Sequence, residues 1–93
     1  MIERDGTDLR VTAPMTLDNA RLLQAAGIAL LQAGAWRVDL AVVTEADSSA
    51  IAVMLGWLRV AAARQATLQF VNVPAGVRSL ADLYGVGELL SLA

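Results

Sequence analysis

Arg37-Val38-Asp39-Leu40-Ala41-Val42-Val43, followed by Thr44-Glu45-Ala46-Asp47-Ser48-Ser49-Ala50-Ile51, is the stretch on which the fold turns. The first half is short, mostly apolar and rich in Val, which predicts a strand buried on both faces. The second half is a polar loop that runs into an apolar segment of helical length, Ser49 to about Arg64. Downstream, Thr67–Val73 reads as another strand. Pro74 fits the first turn of a third helix, in which Val77, Leu80, Leu83 and Tyr84 recur at helical spacing and Gly85 is the terminator. A last helical turn is expected over about Glu88 to Leu92. Upstream, Leu17–Ala33 is Ala- and Leu-rich, can be capped by Thr16 or Asp18, and meets Gly34 as a stop. On its helical wheel Asp18, Arg21, Gln24 and Gln32 oppose Leu23, Ala26, Leu30 and Ala33. Asp5-Gly6 marks a hairpin turn between Ile2-Glu3-Arg4 and Asp8–Ala13, with Leu9, Val11 and Ala13 on one face and Pro14 at its end. Helices between the later strands imply parallel crossovers. The expected fold is therefore α/β: a mixed sheet of about four strands with three to four helices packed mainly on one side, residues 1–93 forming one domain.

The residue inventory narrows the chemistry. The 93 residues include no Cys, His or Lys, and 57% are apolar against 17% charged. Without these three residue types there is no disulfide framework, thiolate or imidazole metal ligand, cysteine nucleophile, Schiff base or phosphate-loop lysine. The expectation is a chain that is not an enzyme and holds no metal or cofactor. The seven basic residues are scattered arginines outnumbered by nine acids, net charge -2, which argues against nucleic acid as a partner. The N-terminus shows no secretory pattern. The longest apolar run, Ala50 to Leu58, is about half the ~18 residues of a membrane span, so a cytoplasmic location is expected. More apolar residues are present than a core of this size accounts for, and that surplus needs a place.

Asp47-Ser48-Ser49 is the segment richest in possible chemistry. Asp and Ser are preferred N-cap residues, so capping alone explains them. They also stand where a phosphate or a partner would find unpaired backbone N–H groups, which makes Ser49 and Ser48 candidate phosphoacceptors. On the wheel of the helix that follows, Ile51, Met54, Leu55, Leu58, Ala61 and Ala62 form a core face. The opposite arc holds Ser49, Ala52, Val53, Gly56, Trp57, Val60, Ala63 and Arg64, with Arg59 at its edge, and is nearly as apolar. Either this helix is sandwiched between the sheet and a neighbouring helix, or its outer face docks a partner through small residues and a Trp anchor. The second reading makes Asp47, Ser48, Ser49, Ala52, Val53, Gly56, Trp57 and Val60 one partner-binding surface. Tyr84 reads as a core residue with its hydroxyl at the rim, Trp36 as a plug before its strand, and Asp39 as a hydrogen-bonding group at a strand edge.

Asp39-Leu40-Ala41-Val42 with Asp47-Ser48-Ser49-Ala50-Ile51 eight positions beyond Asp39 resembles the signature of STAS domains, the fold of bacterial anti-sigma factor antagonists. The resemblance spans essentially the whole chain. The run Val77–Leu90 looks like that of the small STAS subunit of the Mla phospholipid ABC transporter. It implies a non-catalytic subunit that sits on the cytoplasmic ATPase, supports its assembly and activity in maintaining lipid asymmetry, and is peripheral to the inner membrane only through that complex. Ser48 would stand at the ATPase contact. The related alternative is an anti-sigma factor antagonist, partnered by an anti-sigma factor kinase and phosphorylated at Ser49. Many relatives have Gly where this chain has Ala50, and a Cβ there is expected to restrict a kinase's approach.

Overall fold

The computed structural model describes residues 1–90 and 92. The element order is β1 (Ile2–Asp5), β2 (Asp8–Val11), α1 (Ala20–Leu30), β3 (Gly34–Asp39), α2 (Ser49–Ala63), β4 (Ala66–Val71) and α3 (Ala75–Leu83). The strands form one sheet in the order β1-β2-β3-β4. β1 and β2 are an antiparallel hairpin closed through Gly6, whose φ of 62° suits a residue without Cβ. β2, β3 and β4 are mutually parallel. The predicted α/β mixed sheet is what the chain forms. Leu9 and Val11, then Trp36 and Val38, alternate inward along their strands and join one hydrophobic cluster under the helices. The opposite face of the sheet is polar: Glu3, Asp5, Asp8, Arg10, Arg37 and Asp39 share it, with an exposed Arg10–Glu3 pair at 2.6 Å. Such exposed pairs contribute about 0–1 kcal/mol. Among the described residues no helix is long and apolar enough to cross a membrane.

Several boundaries depart from the sequence expectation. Helix α1 starts at Ala20, after Asn19, because Met15 and Leu17 are tied by their N–H groups to Glu45 and Asp47 of the β3–α2 loop. It ends at Leu30: Leu31 turns inward in an extended conformation, and the Arg64 guanidinium donates to the carbonyls of Ile28 (2.6 Å) and Leu31 (2.9 Å). That cation caps the end of the helix together with the Leu31 N–H, which donates to the same Ile28 carbonyl at 3.3 Å.

β3 is shifted toward the N-terminus relative to Arg37–Val43. It starts at Gly34, paired with Ala66, and ends at Asp39, whose carboxylate accepts the N–H of Ala41 at 2.8 Å and turns the chain away. Leu40 and Val43 are buried from that turn rather than from a strand. β4 stops at Val71 because Asn72 is left-handed, φ 54°, with its amide held by Asp39 at 3.1 Å.

Pro74 stands just outside α3 rather than in its first turn. The helix ends in a Schellman motif: Gly85, φ 70°, donates to Asp82 and Val86 donates to Ala81. Val77 and Ala81 form the buried stripe of this helix, so Leu83 (76% exposed) and the C-cap Tyr84 (52%) face outward, against the core placement their spacing suggested. The expected last turn is present as Gly87–Leu90, with Leu90 fully buried; Ser91, within the predicted range, lies outside the described residues.

The two largest corrections concern α2. Trp57 is 2% exposed: its indole crosses α1 at Gly27, where any Cβ would collide with the ring, and its Nε1–H donates to the Gln24 carbonyl at 3.1 Å. Reciprocally, the Gln24 side chain lies where a Cβ at Gly56 would stand. Each glycine costs its helix about 1 kcal/mol relative to Ala, and a buried indole with a satisfied N–H more than offsets that. Gly56 and Trp57 are thus α1-facing core and Val53 is buried, so none of the three is an outward anchor. Ala50 is also fully buried, so its Cβ points into the protein and does not obstruct an approaching kinase.

Urea unfolding checks this lock. Trp57→Ala is expected to cost about 3–5 kcal/mol, and Gly27→Ala about 1–3 kcal/mol through overpacking against a ring that has nowhere to move. Unchanged stability in both variants would place Trp57 outside the core.

Candidate functional site

The β3–α2 loop is built around Asp47. One carboxylate oxygen accepts the Ser49 N–H at 2.8 Å, and the other accepts the Leu17 N–H at 3.1 Å. The main chain reinforces the second tie: Met15 donates to Glu45 (2.9 Å), Asp47 donates to Met15 (3.1 Å), and Met15 and Ala46 form a parallel bridge. The start of α2 and the segment before α1 therefore form one joined surface. Both bonds favour the ionised carboxylate. They hold the Asp47 pKa below its ordinary value, the Leu17 N–H being the larger cause and the Ser49 N–H the next, against a smaller opposing effect of desolvation.

Capping is thus done by Asp47, two residues ahead through the Ser49 N–H, and not by Ser48. Ser48 occupies the N-cap position in a helical conformation, φ -61° and ψ -17°, makes no side-chain cap bond and is exposed. Ser49 is half-buried behind it. Of the residues expected on one partner surface, the structure brings Asp47, Ser48, Ser49 and Ala52 together at the start of α2. Val60, half-buried, lies two turns further along, Gly56 and Trp57 are withdrawn into the α1 contact, and Val53 is buried.

Leu17 is the surface residue that sequence reasoning missed. At 77% it is the most exposed large apolar side chain, held beside the cap by its own backbone bond to Asp47. In the sequence it reads as the first residue of helix 1. Only the loop-to-loop tie places it at α2. The outward stripe of α2 is Ser48, Ala52, Arg59 and Ala62, with Leu55 half-buried on the same side. A spacing of four, three, four and three keeps these residues on one line.

This arrangement has the architecture of a STAS domain, and the chain belongs to that family: the model described as "Mlab, STAS domain" matches residues 2–91. Solved structures similar to it include the following two. A murine Solute Carrier 26 family member A9 (Slc26a9) anion transporter, in the inward-facing state, superposes with a TM-score of 0.74 at 17% identity over 87% of this chain. This chain covers only 14% of that protein. The anti-sigma factor antagonist SpoIIAA in its unphosphorylated form superposes with a TM-score of 0.72 at 15% identity, covering 95% of this chain and 82% of that one. At these identities the likeness is one of fold. No curated protein matches the chain.

The sign of the pH dependence follows from Asp47. Its folded-state pKa is lowered, so its contribution is complete above the unfolded-state pKa of about 4 and is lost as pH falls through the folded value. Wild-type stability, read as a urea midpoint, is expected to fall across that acid window. Asp47→Ala should be less stable at neutral pH and show a flatter acid limb. An identical limb in both proteins would remove Asp47 from this role.

Proposed function

We propose that this chain is a non-catalytic regulatory or assembly subunit of an ABC-type phospholipid transport system. It docks on the cytoplasmic ATPase subunit at the inner membrane and serves the maintenance of lipid asymmetry. The observation that carries the reading is the match of residues 2–91 to the family described as Mlab. The surface supports it. Ser48 is exposed at the start of α2, Ala52 stands one turn on without bulk, and Leu17 adds apolar area beside them. Hydrogen bonds onto Asp47 from the first residue of α2, Ser49, and from Leu17 hold the three in place, so little ordering is needed when a partner binds. An apolar contact flanked by polar groups is the usual make-up of a transient protein interface.

A second reading, an anti-sigma factor antagonist switched by an anti-sigma factor kinase, is favoured by the likeness to SpoIIAA over nearly the full length of both chains. The Ser49 hydroxyl is its phosphoacceptor. Half-burial and the neighbouring Asp47 carboxylate both oppose a dianionic phosphate there.

One pair of measurements separates the two. With the tagged chain expressed in its own cells, we expect an ATPase and a permease to co-purify, and Ser48→Asp or Ala52→Arg to reduce their recovery about tenfold or more while the circular dichroism stays native. Stoichiometric phosphate on Ser49, with a kinase recovered instead, would establish the antagonist reading.

A further inference from the structure

The face of the sheet turned away from the helices carries its charges as a checkerboard. Across the β2–β3 seam Arg10 stands in register with Asp39, and two residues back along each strand Asp8 stands in register with Arg37, so the order of sign reverses from one row to the next. Leu9 and Val38, between these rows, point into the core, which puts the four charged residues on the open side. Asp8, Arg10 and Arg37 are exposed and Asp39 is half-buried. Among the described residues Arg10 forms a salt bridge with Glu3, while Asp8 and Arg37 form none. Asp8 also has a second acid, Asp5, directly opposite on β1, a like-charge arrangement that costs stability.

A twisted sheet is saddle-shaped, and a two-fold axis lying in the sheet maps a saddle onto itself, so two copies can stack open face to open face. An isologous contact of this kind pairs residue i of one copy with j of the other and j with i. With the axis along the β2–β3 seam, β2 of each copy lies over β3 of the other. Arg10 then meets the other copy's Asp39, and Asp8 meets the other copy's Arg37, each pair occurring twice. Glu3 and Asp5 fall over Val71 and Gln69 of β4, which continue the same two rows and carry no charge. Moving the axis onto β2 would set Arg10 on Arg10 and Asp8 on Asp8. Turning it across the strands would set Glu3 on Asp5. The charges therefore select one axis and one register.

We propose that the open sheet face is self-complementary and that its occupant is a second copy of the chain. Four strands of this length offer a face of roughly 20 by 20 Å, about half of what each partner contributes to a standard stable interface. The dimer is accordingly weak and salt-sensitive, its charges fixing register more than affinity. It uses the side of the molecule opposite the helices and leaves Ser48 and Ala52 uncovered, so it stands independently of the functional reading above.

The test uses the purified 93-residue chain with no other protein present. Sedimentation velocity from micromolar to millimolar concentration is expected to show a reversible monomer–dimer equilibrium at low ionic strength, shifted to monomer at about 0.5 M salt. Arg37→Glu and Asp8→Arg, each with native circular dichroism, should each weaken self-association roughly tenfold, because the symmetric contact contains the altered pair twice. An equimolar mixture of the two variants should associate again, since every charge of one then faces its opposite on the other; a damaged fold would not recover on mixing. A monomer at every concentration would overturn the proposal. So would a dimer indifferent to salt and to both substitutions, or variants that stay apart when mixed.

Discussion

The indole of Trp57 lying across Gly27 is the contact on which the rest of the molecule depends. It sets the distance and rotation between α1 and α2, because an α-helix can approach a ring this closely only where it lacks a side chain. With Gln24 filling the space over Gly56 in return, α2 cannot rotate about its axis. The line Ser48, Ala52, Arg59 and Ala62 is then the one left outside. A surface available for partners is in this sense a by-product of how the core is locked.

Asp47 performs the second organising step. A carboxylate can accept several N–H groups at once, and this one uses that capacity to join two loops that are distant in sequence. The Leu17 N–H is thirty residues away and the Ser49 N–H two. The result is a rigid cap on α2 with one exposed serine, one half-buried serine and an exposed leucine beside them. Two hydrogen bonds to a charged group make this more robust than a serine cap, and they leave the Ser48 hydroxyl free of any structural duty in the cap.

Much of the fold was legible in the sequence because its signals are local. Asp5-Gly6 marked the hairpin, the Leu9 and Val11 alternation marked a one-sided strand, and the apolar segment from Ser49 to about Arg64 marked a helix. Boundaries set by contacts at long range were not. The early end of β3 at Asp39 is set with Asn72, and the late start of α1 at Ala20 with Glu45 and Asp47. Leu83 and Tyr84 continue the helical period of α3, yet they lie outside because the Schellman turn at Gly85 directs Val86 and Leu90 back to the core instead.

The same division applies to the site. Sequence alone determined the class of fold, the family resemblance, the position of the Asp47-Ser48-Ser49 cap and the existence of surplus apolar residues, since each of these rests on residue type and period. Which apolar residues form the surface was decided only by tertiary structure. A helical wheel gives angles but not neighbours: Gly56 and Trp57 lie opposite the sheet-facing arc, and the arrival of α1 against that side turned them into core. The outward face that remains is narrower than the wheel suggested and is bounded by Ala52 and Arg59, with Leu17 supplied from another loop, because packing between elements, and not the periodicity of one, determines what water still reaches.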